Sequence, residues 1–158
     1  MVGRNVMNGV YAGFAAGVVS GIALWVLALL PSMGELVGQR TDMMGFLVHM
    51  GGCVVISALF GLLFGALVHG VGSGIFFGVL YGGLWWFLGP MTLLPYATGY
   101  GWGVNWTSAA ATSMFPSLIG FLIYGLVLGI VFGALWRAHE DIVVTERRVV
   151  IEKTVTYP

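Results

Sequence analysis

The feature that most limits the fold of this chain is a stretch without Asp, Glu, Lys or Arg that runs from Met43 to Trp136. Soluble domains carry roughly 25% charged residues, whereas this chain carries 8% and has a mean hydropathy of +0.98. We therefore expect an integral membrane protein with the lipid bilayer as its first partner. The formal net charge of zero argues against nucleic acid as a partner.

Apolar segments that could cross a bilayer, which takes about 20 residues per helix, occur along most of the chain. We predict transmembrane helices at residues 8–30, 44–68, 74–94 and 116–136. The first segment is longer than the apolar region of a signal peptide, so we expect it to be retained as a span. The flanking positive residues, Arg4 and Arg137 against Arg40, predict an inner-membrane protein with both termini in the cytoplasm.

Glycine recurs at every fourth position along the first and third spans. In water a glycine inside a helix costs about 1 kcal/mol relative to alanine. In lipid, however, the backbone keeps its helical hydrogen bonds and small residues let two helices approach closely. We predict that these glycines, and similar pairs in the other two spans, form helix-packing surfaces. They are Gly9, Gly13, Gly17, Gly21, Gly70, Gly74, Gly78, Gly82, Gly61, Gly65, Gly129 and Gly133.

The glycine spacing also indicates an internal repeat. The glycine series of residues 9–25 recurs 61 positions later in residues 70–86, and each series ends on a tryptophan. A second similarity links Gly61 with Gly129 at an offset of 68. Chance similarity between glycine-rich membrane helices is the alternative explanation.

These patterns together predict an all-α integral membrane fold of four transmembrane helices, arranged as two tandem helical hairpins. The membrane domain would cover residues 1–137, with repeat halves at about 8–69 and 70–137. Because both halves begin on the same side of the membrane, we expect a parallel 2+2 pseudo-repeat, related by an axis along the membrane normal.

Residues 84–116, from the end of the third span to the start of the fourth, are rich in aromatic residues and contain no charged residue. Trp and Tyr collect at the headgroup level of a bilayer, and they are also favoured anchors in contacts between proteins. We predict a segment at the outer membrane interface, with a neighbouring subunit as the alternative contact. The interface aromatics are Trp25, Trp85, Trp86, Tyr96, Tyr100, Trp102 and Trp106.

Few side chains in the spans could support chemistry, so we predict no catalytic residue, no enzymatic activity and no cofactor. One exception is a set of soft donors, His49, Met44 and Met50, with Cys53 one turn deeper, which would select Cu(I). The alternative is that these methionines only fill gaps between helices. A haem held by His69 and His139 is a second metal hypothesis.

Residues 138–158 differ in composition from the membrane domain. Val, Ile and Thr alternate with mixed charges, as in a half-exposed strand. The apolar face would consist of Val149, Ile151, Val155 and Tyr157. Since a lone strand is not stable in water, we predict an extended cytoplasmic tail docked on a partner polypeptide. A disordered tail is the alternative.

Several segments resemble the YagU-type small inner-membrane proteins of bacteria. The similarity rests on the glycine-spaced first span, on FLVHMGG at 46–52, on GIFFGVLYGGLWW in the third span and on LLPYATG at 93–99. It covers most of residues 9–137, and of the histidines of that family only His49 carries over. Because the family has no established activity, the resemblance implies a topology and not a function.

The expected function is that of a non-catalytic accessory subunit in a larger membrane assembly. Glycine-mediated helix packing would hold it to other membrane subunits or to copies of itself. The alternative is an oligomeric channel or small transporter for an uncharged solute. A copper- or haem-binding membrane protein is the third interpretation.

Overall fold

The computed structural model describes residues 2–156, with side chains through Val150, and the regular structure in that range is entirely helical. The long helices are α1 (Val2–Val26), α3 (Asp42–Phe64), α4 (Val71–Leu88) and α6 (Ser108–Thr156), and the short ones are α2 (Leu30–Gly34) and α5 (Leu94–Ala97). A 3₁₀ turn covers Glu35–Val37 and a π-helical turn covers Gly89–Leu93. Four helical segments are long and apolar enough to cross a membrane, as predicted: Val2–Val26, Asp42–Phe64, Val71–Ala97 and Ser108–Val150.

Several helix boundaries differ from the predicted spans. Helix α1 begins at Val2 and ends at Val26, close to Ala28, whose φ of 53° is incompatible with a continuing right-handed helix. Helix α6 begins at Ser108 and continues through Pro116. The connection predicted as a loop thus contributes eight residues to the start of α6. Pro116 is the ninth residue of α6, beyond the four N–H groups that lack a partner at a helix start, so the helix omits the hydrogen bond from this position to the Thr112 carbonyl.

The long helices pack in two antiparallel pairs, α1 with α3 and α4 with α6, and α1 also contacts α6. In the first pair, Gly9 faces Ser57 while Gly21 faces Phe46, so the two chains run in opposite directions. In the second pair the partner positions likewise fall along α6 as they rise along α4. In each pair the two long helices follow one another along the chain, with one short helix, α2 or α5, in the connection between them.

The glycines of these helices lie where backbones nearly touch. A Cβ on Gly78 would lie 2.9 Å from the Cα of Gly129, closer than real Cβ contacts allow. The predicted packing glycines that meet backbone of the neighbouring helix in this way are Gly9, Gly13, Gly61, Gly74, Gly78, Gly82, Gly129 and Gly133, and those that face its side chains are Gly17, Gly21 and Gly65. Gly70 has a different place, as the residue that precedes and caps α4.

The two hairpins do not pack in the register that the sequence offsets imply. Gly74 and Gly129 are the sequence counterparts of Gly13 and Gly61, and they contact each other. Gly61, however, contacts Asn5, about two turns of helix before Gly13. The internal repeat therefore stays a prediction.

An aromatic cluster at the centre of the bundle joins α3, α4 and α6. The Phe60 ring lies 5.2 Å from the Tyr81 ring and 5.3 Å from the Phe132 ring, measured between centroids. Phe60 and Phe132 are fully buried. Tyr81 also donates a hydrogen bond of 2.7 Å to the carbonyl oxygen of Ile56. Ring packing thus holds the two hairpins to each other, whereas the glycine contacts described above lie within each hairpin.

The prediction of an extended tail is wrong, because residues 138–156 continue α6 as a helix. Elongating an existing helix is far easier than nucleating one, and α6 supplies the nucleus. The β-branched residues of this segment disfavour a helix only weakly. Val149 is exposed on this helix, Ile151 and Val155 are in its helical backbone, and Tyr157 lies outside the described residues.

Candidate functional site

A cavity of about 260 Å³ lies between the two hairpins, at the end of the bundle that carries the longer connections. All four long helices contribute to its wall. The residues that line it are Leu24, Met33, Leu36, Val48, His49, Gly52, Cys53, Ile56, Trp85, Gly89, Pro90, Leu93, Leu94, Ala97, Gly120, Phe121 and Tyr124. Most of these side chains are apolar, and none of the lining residues is Asp, Glu, Lys or Arg.

The cavity forms because the helical bundle is wider at this level and because small residues face inward there. The π-helical turn Gly89–Leu93 interrupts the regular packing of α4 against its neighbours, and such turns commonly occur at functional sites. Thr92 stabilises the turn by donating to the Phe87 carbonyl at 2.8 Å. Across the cavity, Gly52 of α3 has open space where a Cβ would lie.

One wall of the cavity carries a polar cluster made by α1 and α3. His49 Nε2 lies 3.0 Å from Ser20 Oγ and 3.4 Å from Cys53 Sγ. Ser20 and Cys53 are buried. Because His49 and Cys53 are four residues apart on one helix, their side chains lie on the same face. The α1 hydroxyl thus fixes an imidazole and a thiol together at the cavity wall.

A second polar contact, at the same depth, joins α3 to α6. The Tyr124 hydroxyl lies 2.5 Å from Ser57 Oγ and donates to the Cys53 carbonyl at 3.2 Å. Tyr124 and Ser57 are both buried. Since the hydroxyl of Tyr124 already has these protein partners, it does not require a polar ligand in the cavity.

Trp85 contributes an indole to the cavity wall, and its ring packs edge-on against Tyr81 at 6.1 Å between centroids. Its Nε1 is buried, and no acceptor bonds to it among the described residues. An indole N–H without a partner costs about 1–3 kcal/mol when buried.

The structure brings together only some of the predicted metal-binding residues. Met50 Sδ and Cys53 Sγ both approach Gly17, and His49 adjoins Cys53. Met44 lies about 140° around α3 from His49, on another face. Within the described residues, no group of three or more His, Cys, Asp or Glu is placed to share a metal ion. The His69 ring packs against Trp136 at 5.8 Å, and His139 lies on α6 three residues further along.

The predicted interface aromatics occupy two kinds of position. Trp86 is half-buried and donates to Ser117 Oγ at 3.0 Å, which ties α4 to α6. The remaining exposed members are Trp25, Tyr96, Tyr100, Trp102 and Trp106. Four rings near the last connection contact one another in sequence: Tyr96 with Trp102, Trp102 with Trp106, and Trp106 with Phe87.

Sequence reasoning missed Ser20, Ser57 and Tyr124 as members of the site. A signal was present for the serines, because Ser20 and Ser57 are polar residues within apolar spans and such residues bond across membrane helices. Tyr124 gave no comparable signal, since tyrosine is common at membrane interfaces. The resemblance to YagU-type proteins stays a prediction. Comparisons of the chain with protein-family models, with curated proteins and with solved structures gave no match.

Proposed function

We propose that this protein is a non-catalytic membrane protein that binds, and exchanges with the bilayer, a small uncharged molecule held in the cavity between its hairpins. The observation that carries the proposal is the cavity itself, with its largely apolar lining. A cavity of 150 Å³ holds benzene, so about 260 Å³ has room for a small aromatic molecule of one or two rings. A charged solute would lack a counter-charge there, at a cost of several kcal/mol.

The chemistry of the wall further narrows the expected ligand. Tyr124 and His49 have protein partners, whereas Trp85 Nε1 has none among the described residues. We therefore expect the preferred ligands to be aromatic or terpenoid molecules with one hydrogen-bond acceptor. Aromatic ligands would also pack on the rings of Trp85 and Phe121.

The test uses a substitution that puts a side chain into the cavity, at a position that has room for one. Gly52 lines the cavity and Gly51 does not, and both have open space where a Cβ would lie. We expect 2-acetylnaphthalene, a neutral ketone of suitable size, to raise the unfolding temperature of the purified wild type and of Gly51→Leu. Gly52→Leu should abolish the increase. An equal increase in both variants would place the binding outside the cavity.

A second candidate function, subunit of a larger assembly, is favoured by the exposed end of α6. Ile142 is 57% exposed and Val149 is 45% exposed, and with Leu135 they recur at the seven-residue spacing of a coiled-coil seam. In a parallel pair of identical helices with this seam, Asp141 of one copy would face Glu146 of the other. The favoured partner is therefore a helix of a different polypeptide.

The assembly hypothesis is tested on particles extracted from native membranes in mild detergent. We expect the full chain to travel with another polypeptide, and the double variant Ile142→Asp/Val149→Asp to lose it. Val144→Asp is the matched control, because Val144 is 49% exposed on the same helix but lies outside the seam. The hypothesis would be contradicted if the extracted particle were a monomer or consisted of identical chains. It would also be contradicted if the double variant kept the second polypeptide.

A further inference from the structure

Two sulfur atoms of α3 converge on the gap left by a glycine of α1. The point where a Cβ on Gly17 would lie is 2.9 Å from Met50 Sδ and 3.4 Å from Cys53 Sγ. His49 adjoins the same thiol, with Nε2 3.4 Å and Nδ1 3.8 Å from Cys53 Sγ. A thioether, a thiol and an imidazole therefore lie next to one another beside the cavity.

We propose that His49, Met50 and Cys53 form a binding site for one Cu(I) ion. Thiolate, thioether and imidazole are the ligands that favour Cu(I). With metal–sulfur bonds of about 2.3 Å and metal–nitrogen bonds of about 2.0 Å, two ligands of a trigonal site lie roughly 3.7 Å apart. His49 Nδ1, the ring nitrogen that Ser20 does not contact, lies 3.8 Å from Cys53 Sγ, which agrees with this value.

The charge balance favours a monovalent ion. Binding replaces the S–H bond of Cys53 with a sulfur–copper bond, the proton leaves to water, and no electron is transferred. The resulting thiolate–Cu(I) pair is neutral, which suits a buried site without acidic residues in its lining. A divalent ion would leave a net positive charge buried there, which is costly.

The surrounding residues provide orientation and access. Ser20 Oγ lies 3.0 Å from Nε2 of His49 and can accept its N–H, which holds the imidazole in place and leaves Nδ1 for the ion, as groups next to metal ligands commonly do. Tyr124 contacts the Cys53 carbonyl. His49 and Cys53 also line the cavity, which gives an ion a route to the site.

The proposal is tested by a competition titration of the purified full chain with Cu(I) supplied as its bicinchoninate complex without oxygen. We expect the wild type to withdraw one equivalent, and Cys53→Ser to weaken binding by more than about 100-fold, beyond the loss caused by changing a group that only supports a ligand. Met50→Leu should also weaken binding. Met44→Leu is the matched control and should bind as the wild type does, because Met44 lies on another face of α3.

Each variant is first checked for an unchanged unfolding temperature without metal, and Met50→Leu provides the decision if Cys53→Ser does not fold. Failure of the wild type to withdraw Cu(I), or equal effects of Met44→Leu and Met50→Leu, would overturn the proposal. These outcomes are independent of the small-molecule function, because stabilisation by 2-acetylnaphthalene is measured without copper.

Discussion

The hydroxyl of Tyr124 in α6 lies 2.5 Å from Ser57 Oγ in α3, inside the helical bundle. Tyr124 has one hydroxyl proton, which it donates to the Cys53 carbonyl, so Ser57 must be the donor in the shorter contact. Both side chains are buried. This chain of two hydrogen bonds connects the hairpins at the depth of the candidate site.

We expect Tyr124→Phe to lower the free energy of unfolding by about 1 kcal/mol, the usual scale of a hydrogen bond between membrane helices. The measurement is reversible unfolding in mixed detergent micelles. A double-mutant cycle with Ser57→Ala should show that the two substitutions are not additive. Tyr11→Phe is the control, since Tyr11 is 59% exposed on α1. Strict additivity would show that the contact does not contribute.

A second prediction compares two glycines of α4. A Cβ on Gly78 would lie 2.9 Å from the Gly129 Cα, whereas Gly83 has open space at the same position. Gly78→Ala should force α4 and α6 apart and cost about 1–3 kcal/mol, measured as the loss of unfolding free energy in detergent. Gly83→Ala controls for helix propensity and should leave stability unchanged or slightly raised. Equal behaviour of the two variants would mean that the glycine contacts carry no stability.

The aromatic cluster leads to a third prediction. Phe60 is 0% exposed and contacts rings of α4 and α6, while Phe76 is 59% exposed on α4. Phe60→Ala should cost about 3–5 kcal/mol because it leaves a cavity at the junction of three helices. Phe76→Ala removes the same atoms from an exposed position and should cost far less. Thermal unfolding of the two variants in the same detergent distinguishes them, and similar losses would contradict a central role for Phe60.

The spans could be predicted because their signals are local. An uncharged stretch of this length has few alternatives to helices in lipid, and glycines stand at both ends of the turn between α3 and α4, Gly65 and Gly70. Helix ends were less accurate. The start of α6 at Ser108 follows an N-cap, since Thr107 Oγ1 accepts from the Ala110 N–H at 3.2 Å, and this local signal was overlooked because Pro116 suggested a later start.

The candidate site was largely beyond sequence reasoning. His49, Met50 and Cys53 share a helix, so their proximity could be predicted from spacing, but their contact with Ser20 and Gly17 depends on how α1 packs. The cavity depends on the π-helical turn Gly89–Leu93, whose extra residue per turn has no periodic signature. The prediction for the tail is wrong because it rests on the strand preference of the β-branched residues alone. It leaves out that α6 precedes these residues and continues into them.

A last prediction concerns the connection between α5 and α6, which two hydrogen bonds tie to the π-helical turn: a long one from Asn105 Nδ2 to the Pro90 carbonyl at 3.4 Å and a shorter one from Trp106. Trp106 Nε1 donates to Thr92 Oγ1 at 3.0 Å, and Thr92 is buried. Trp106→Phe keeps a ring that can stack on Phe87 but removes the donor. Losing about 1 kcal/mol of local stability should speed hydrogen exchange of the amides in residues 98–107 about fivefold.

Trp102→Phe is the control for this experiment, because Trp102 contacts Trp106 through its ring and is largely exposed. Its substitution retains a ring for that contact and leaves the donor to Thr92 in place. Exchange in residues 98–107 should therefore stay near the wild-type rate in Trp102→Phe. If the amides of residues 98–107 exchange equally fast in both variants, the connection is held at the cavity end of the bundle by the size of the aromatic rings and not by the hydrogen bond to Thr92.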